Sequence, residues 1–255
     1  MKTSMVLALG ILLSAGLAVF GQDALSDEEL LATLDEARFF GADVTSLRIR
    51  IHSITPEEER DAEIRLLFAD SLGEEAARIE FLSPDELAGQ VYLSTPNATY
   101  FFGPDLDFPI KTSATTEVFG DAAVAQTSGI RFLGNYTVAE RRSVVAEDGS
   151  PLLEVDLEAV DFSVAFQAAT VAVDPETLRP RSVILYALSG LPFYEVFYER
   201  YETRSEDDLY VVRQRIVNRF LVGRETTSEI VATSDDPVAP EWFDPDALGA
   251  SGAGE

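Results

Sequence analysis

The segment 76–109, AARIEFLSPDELAGQVYLSTPNATYFFGPDLDFP, decides the fold class of this chain. Apolar and polar residues alternate along it, and prolines at positions 84, 96, 104 and 109 separate the alternating runs. Ile79 and Phe81 fall on one side of the first run and the charged residues beside them fall on the other, which is typical of a strand with one face in a core. Because proline cannot donate a ladder hydrogen bond, Pro84 ends or bends this strand. The segment predicts short strands joined by corners.

The same alternation continues on both sides of this segment. Residues 44–54 and 62–68 place apolar side chains on one face and charged ones on the other, so we expect them to pair antiparallel with opposite charges facing each other. Further runs follow at 137–146, 152–160, 168–173, 180–188, 193–204, 210–220 and 225–232, and Asp148-Gly149 is a strong hairpin signal. The pattern predicts about ten or eleven strands in a strongly curved antiparallel sheet.

One amphipathic helix precedes the strands. Ser26 to Glu29 has the form of a capping box, and Leu30, Leu31 and Leu34 then recur on one helical face before Gly41 ends the helix. We expect this face to cover the sheet. The region 111–136 is less regular, and a short helix is predicted at 121–126 with Asp121 as its cap. The fold class is therefore mainly β with α (α+β).

The first 21 residues have the pattern of a secretory signal peptide. Lys2 precedes an apolar run at 5–20, and small residues at Val19 and Gly21 match a cleavage site that makes Gln22 the mature N-terminus. The alternative is an uncleaved anchor helix, for which this run is short. A bacterial lipoprotein needs a cysteine after the run, and this sequence has none. We expect a periplasmic protein without a stable membrane anchor.

Three regions follow from this organisation. They are a signal peptide at 1–21, one β-rich domain at 22–234, and a mostly disordered C-terminal tail at 235–255 in which Trp242 and Phe243 are expected to dock. The tail prediction rests on the small and polar residues of the final GASGAGE.

Composition and motifs exclude several classes of function. The formal net charge of -26 repels nucleic-acid phosphates and anionic lipids, so no nucleic-acid partner is expected. With no cysteine, the chain can form no disulfide, thiolate nucleophile or zinc–cysteine site. The single histidine, His52, falls on a polar strand face. No phosphate-binding glycine loop, HExxH pair or GxSxG elbow is present, so we expect no enzyme, no metal and no cofactor.

Several of these stretches resemble the outer-membrane lipoprotein-sorting family, the LolA-like proteins. The similarity lies in the capped helix after the signal peptide, in RIEFLSP at 78–84 followed by YFFGP at 100–104, in FGD at 119–121, and in the long C-terminal hairpins that close at 242–243. It covers about residues 23–248. The resemblance implies an incomplete β-barrel covered by helices, whose apolar cavity takes acyl chains across the periplasm.

The resemblance therefore implies a monomeric carrier of lipoprotein acyl chains or lipid, working between an inner-membrane transporter and an outer-membrane acceptor. Alternation places the candidate cavity residues on apolar strand faces, without deciding which face lines the cavity or whether a solid core fills it. The candidates are Ile49, Ile51, Ile64, Leu66, Ile79, Phe81, Tyr100, Phe102, Phe197 and Tyr201. The alternative is an envelope accessory or sensor module that uses the same fold to bind a protein partner.

Overall fold

The structure is a computed structural model that describes residues 25–38, 44–69, 76–123, 130–205 and 208–248. The predicted signal peptide, the predicted helix end at Gly41 and the last seven residues lie outside this part. One α-helix is described, α1 at Asp27–Glu36. The strands are β1 Ser46–Ile54, β2 Glu59–Phe68, β3 Ala77–Ser83, β4 Val91–Ser94, β5 Thr99–Phe102, β6 Ile110–Thr112, β7 Glu117–Phe119, β8 Ala122–Ala123, β9 Tyr136–Val145, β10 Pro151–Ala159, β11 Ala168–Val173, β12 Pro180–Tyr186, β13 Pro192–Ser205, β14 Asp208–Asn218 and β15 Glu225–Ser234.

Thirteen of these strands form one antiparallel sheet in the order β6-β5-β4-β3-β2-β1-β15-β14-β13-β12-β11-β10-β9. Strands β6 and β9 are its two edges, so the sheet curves but does not close into a barrel, which confirms the predicted fold class. The sheet has more strands than the sequence predicted. Strand β6 and the separate β7–β8 hairpin have only two or three residues per strand, too few to show an alternating pattern.

The alternation correctly predicts the two faces of β1 and β2. Ile49, Ile51 and Ile64 are buried on what we call the inner face, the face that carries α1 and the β7–β8 hairpin. The outer face carries charged pairs, including Arg48 with Glu63 across the β1–β2 pair. The expected pairing of opposite charges between these strands is therefore present.

Helix α1 begins with the predicted capping box. The Ser26 Oγ accepts the Glu29 backbone N–H at 3.2 Å, and the Glu29 carboxylate accepts the Ser26 N–H at 2.9 Å. Leu30, Leu31 and Leu34 are buried against β10 to β14. The helix covers the C-terminal half of the inner face as expected. Among the described residues, no helix is both long and apolar enough to cross a bilayer.

The predicted helix at 121–126 is wrong where the structure describes it, because Ala122–Ala123 is strand β8. Asp121 is fully buried, and tertiary contacts occupy it instead of a helix N-terminus. Its Oδ1 accepts Asn218 Nδ2 at 2.6 Å, and its backbone N–H donates to Thr226 Oγ1 at 2.9 Å. Arg224 Nε lies 3.3 Å from Oδ2. Residues 124–126 are outside the described part.

The segment 235–248, predicted as part of a mostly disordered tail, packs on the outer face. It contains two 3₁₀ helices, Pro240–Phe243 and Pro245–Ala247. Leu248 is buried with Val91 and Leu93, apolar outer-face residues that would otherwise be exposed to water. The Arg78 guanidinium donates to the Trp242 carbonyl at 2.9 Å. Trp242 and Phe243 therefore dock as expected.

Gly120 allows the β7–β8 hairpin to approach the sheet. Its φ is +57°, and a Cβ there would lie 2.2 Å from Ser53 Oγ and 2.5 Å from Thr226 Oγ1. Gly149 has a φ of +84° but open space around it. The two glycines share the left-handed backbone and differ in the space available.

We expect Gly120→Ala to lower the free energy of unfolding by about 3 kcal/mol, because backbone strain and overpacking add. Gly149→Ala, the matched control, should cost about 1 kcal/mol, since it meets strain alone. Urea denaturation of both variants measures the difference. Equal losses for the two glycines would contradict the close approach at Gly120.

Candidate ligand-binding site

The open side of the sheet contains a groove of about 350 Å³. Residues from the regions of both sheet edges line it, from β4 to β6 on one side and from β9 with the β10–β11 turn on the other. Its volume is within the usual range for small-molecule sites. It is lined by Ser94, Thr95, Pro96, Asn97, Ala98, Thr99, Thr112, Ala114, Ile130, Arg131, Asn135, Tyr136, Ser163, Val164 and Ala165. These residues include no carboxylate, although the whole chain is strongly acidic. The groove is therefore suited to a neutral polar or anionic group.

Tyr136, in the wall of this groove, is a neutral hydrogen-bond donor. Its hydroxyl donates to the Phe166 carbonyl at 2.8 Å. Burial raises the pKa of Tyr136, and the nearby Arg38 guanidinium offsets this only in part. The hydroxyl therefore stays protonated at neutral pH, which suits a structural role in the wall better than a role as a base.

The inner face of the sheet carries two buried apolar clusters, one over β1 to β3 and one under α1. Six of the predicted cavity residues come together in one buried cluster over β1 to β3. They are Ile49, Ile51, Ile64, Leu66, Ile79 and Phe81, each at most 6% exposed. Phe119 of the β7–β8 hairpin packs on this cluster, with its ring centroid 6.3 Å from that of Phe81.

The other four predicted residues are not part of this cluster. Tyr100 and Phe102 lie on the outer face beside Leu248, because the alternation of β5 directs Phe101 inward instead. Phe197 is also on the outer face, where the Arg215 guanidinium lies 4.4 Å from its ring centroid. These three side chains therefore lie on the face opposite to that of the six clustered residues.

Tyr201 is on the inner face because the strand register shifts next to it, which alternation in the sequence does not reveal. The β13–β14 register shifts between Tyr198 and Arg200 and again before Tyr201, as in a β-bulge. Tyr201 therefore lies on the same side as Tyr198, and its hydroxyl donates to the Pro180 carbonyl. Burial raises its pKa, with a further contribution from Tyr198.

A buried ion pair attaches the end of α1 to the segment 130–133. Arg38 and Asp35 are 8% and 5% exposed, and their side chains meet at 2.5 Å. The Asp35 carboxylate accepts the backbone N–H groups of Phe132 and Leu133 at 2.8–3.0 Å. The Arg38 guanidinium donates to the Ile130 carbonyl at 2.6 Å and lies 3.9 Å from the centroid of the Phe132 ring. We call these contacts the helix latch.

The helix latch is also connected to the strands, since Arg38 Nη1 donates to the Tyr198 hydroxyl at 3.2 Å. Burial alone would lower the pKa of Arg38, but Tyr198 and Asp35 more than offset it and the net pKa is raised. The guanidinium stays charged at any pH at which the protein is folded. The sequence pattern does not predict a role for Arg38. Its position directly after the apolar face of the helix was the one available signal, but an arginine is ordinarily exposed to solvent.

Among the described residues, no group of three or more His, Asp or Glu side chains is arranged to hold a metal ion. His52 lies on the polar face as predicted, and its Nδ1 is 3.0 Å from the Asp61 carboxylate in an exposed pair. The groove, the apolar clusters of the inner face and the helix latch together make up the candidate site.

An open antiparallel sheet with an apolar inner face under one helix is the LolA-like fold, and solved structures confirm this class. A LolA superfamily protein from Nitrosomonas europaea is 20% identical, with 87% of this chain and 98% of that chain covered and a TM-score of 0.75. A DUF1329 family protein from Desulfovibrio piger is 13% identical, with 87% and 97% covered and a TM-score of 0.70.

A putative outer membrane lipoprotein-sorting protein domain from Vibrio parahaemolyticus is also similar, at 15% identity, with 86% and 96% of the chains covered and a TM-score of 0.67. These likenesses establish the fold, and they confirm the resemblance inferred from the sequence. Residues 73–250 match the model of a family described as "uncharacterized protein", and the chain belongs to that family. The search of curated proteins finds no match.

Removing the cation of the helix latch should loosen α1. We expect Arg38→Ala to lower the free energy of unfolding by about 3 kcal/mol, because it leaves the buried Asp35 carboxylate without its countercharge. The matched control is Arg141→Ala, which removes an exposed ion pair to Asp27 at the other end of the same helix and should cost under about 1 kcal/mol.

Urea denaturation of both variants, with hydrogen exchange of the α1 amides, measures the effect. Faster exchange of these amides in Arg38→Ala than in Arg141→Ala is expected. An Arg38→Ala variant as stable as Arg141→Ala would show that the latch does not hold the helix.

Proposed function

We propose that this protein is a periplasmic carrier that binds the acyl chains of a lipid or lipoprotein against the inner face of its open sheet. The observation that carries the proposal is a large apolar face covered, over its C-terminal half, by one ten-residue helix. In this proposal the mature chain begins at Gln22 and acts as a monomer between a donor in the inner membrane and an acceptor in the outer membrane. It binds cargo and does not transform it.

The proposed cargo enters when α1 moves away from the sheet. In the structure, side chains fill both halves of the inner face, so an acyl chain takes the place of contacts that α1 now makes. A chain of about twelve methylenes gains on the order of 10 kcal/mol on leaving water. Once α1 has moved, the acyl chain also covers the leucine side chains of the helix. The main free-energy cost of entry is therefore breaking the helix latch.

The groove between the two sheet edges is the proposed place for the polar end of the cargo. Its lining of hydroxyl and amide side chains can accept and donate hydrogen bonds, and Arg131 supplies a cation. A lipid headgroup or the first peptide units of a lipoprotein match this chemistry. The apolar inner face and the polar groove then hold the two ends of one amphiphilic molecule.

Titration with a fluorescent fatty acid tests the proposal. We expect the mature protein to bind the probe and Phe81→Glu to weaken binding at least about tenfold, because the carboxylate would lie in the apolar face. Phe197→Glu is the matched control, since it places the same change on the outer face and should leave binding unchanged. Far-ultraviolet circular dichroism verifies that both variants fold.

Phe81→Leu serves where Phe81→Glu does not fold, and it should change affinity by a smaller factor in the same direction. Equal effects of the two glutamate variants would contradict the assignment of the inner face. Native mass spectrometry of protein purified from the periplasm without detergent identifies the cargo class. A bare protein that also takes up no fatty acid would contradict the carrier function.

The second candidate is an accessory or sensor module that binds a protein partner through the same fold. The observation in its favour is that side chains pack against one another throughout both inner clusters. This candidate predicts co-purification with a protein and no uptake of fatty acid, so the same two measurements separate it from the carrier.

A further inference from the structure

Three neighbouring hairpin turns present large apolar side chains to solvent at one end of the sheet. The turns 160–167, 187–191 and 219–224 join β10 to β11, β12 to β13 and β14 to β15, so the antiparallel order places all three at the same end. Their exposed side chains are Val160, Phe162, Leu188, Leu191, Phe220 and Val222. We call these six residues the apolar rim.

Three side chains of the apolar rim are almost fully exposed to solvent. Val222 is 92% exposed, Phe162 90% and Leu188 82%. Neighbouring strands are about 4.8 Å apart, so successive turns of this set are separated by about 10 Å. Clusters of exposed apolar side chains on soluble proteins mark interaction sites.

Hydrogen bonds hold these turns in shape, so their apolar side chains project from ordered backbone. The Asn218 Oδ1 accepts the N–H groups of Phe220 and Leu221 at 3.0 and 2.7 Å, and the buried Asp121 fixes Asn218 from behind. Asp161 accepts the Ser163 N–H at 2.7 Å in the turn 160–167. The turn 187–191 is closed by the Gly190 N–H, which donates to the Ala187 carbonyl at 2.8 Å.

The charges near the apolar rim differ from those of the rest of the chain. The three turns contain Arg219, Arg224 and Asp161, which sum to a charge of +1, whereas the whole chain carries -26. The next turns along the same end, 55–58 and 84–90, are acidic and carry Glu57, Glu58, Asp85 and Glu86. The rim is thus a nearly neutral apolar region with an acidic border.

We infer that the apolar rim docks the protein on the surface of a lipid bilayer by inserting its turn tips between headgroups. Separate side chains about 10 Å apart match a deformable bilayer better than one preformed pocket, and the net charge of the three turns is only +1. Zwitterionic lipids suit this surface because the acidic border repels anionic headgroups within a Debye length of about 8 Å. Turn 160–167 also lines the groove through Ser163 to Ala165, so docking places the groove next to the membrane.

This inference does not depend on the protein carrying lipid, and flotation with vesicles tests it. We expect the mature protein to float with phosphatidylethanolamine–phosphatidylcholine vesicles, and to float less as phosphatidylglycerol replaces phosphatidylcholine. Phe162→Ser and Val222→Ser should each weaken binding roughly tenfold, because each removes an inserted apolar side chain. Val145→Ser is the matched control, since Val145 is 73% exposed at the opposite end of the sheet.

Failure to float with either kind of vesicle would overturn the inference and leave the rim to a protein partner. An equal loss in Val145→Ser would also overturn it, since binding would then not be located at the rim. Fatty-acid uptake in solution, measured on the same variants, should not change. Uptake without flotation therefore rejects only the docking inference, and flotation without uptake rejects only the carrier.

Discussion

The pairing of the first strand with the last holds the whole sheet together. Strand β1 pairs with β15 along its whole length, from Ser46 opposite Ser234 to Ile54 opposite Glu225. This contact joins two meanders, β1 to β6 and β9 to β15, into one sheet and brings together residues almost 190 positions apart. Because closing such a loop has a large entropic cost, the pairing needs the buried inner face to stabilise it.

Because the sheet is open, elements outside the sheet must cover its inner face. The inner face needs cover that no further strand provides, and in the described part of the chain α1 and the β7–β8 hairpin supply it. Both are held by buried polar contacts, Asp35 with Arg38 in one case and Asp121 with Asn218 in the other. Such contacts cost more to desolvate than apolar packing and are specific in geometry, so they fix where a cover sits rather than add much stability.

Ion pairs on the outer face reduce the repulsion among the many carboxylates of this chain. Arginines lie between carboxylates across neighbouring strands, as Arg142 does with Glu154 and Asp156 and as Arg215 does with Glu199 and Glu225. These pairs are partly exposed, so each is worth little by itself, but together they relieve repulsion along the sheet. Among the residues that the structure describes, Glu57, Asp85 and Asp105 are examples of carboxylates on turns, where water solvates them.

The class of fold, the capped helix and the shared face of the six residues from Ile49 to Phe81 follow from the amino-acid pattern, because helix caps and strict alternation are local. Alternation assigns side chains to two faces without identifying the inner one, so the prediction groups Tyr100, Phe102 and Phe197 with side chains that lie on the opposite face. The inward position of Tyr201, which follows a register shift, and the burial of Arg38 and Asp121 are visible in the folded chain and not in any local pattern. The physical reason is that register, bulges and buried polar partners depend on residues distant in the chain, which no local pattern contains.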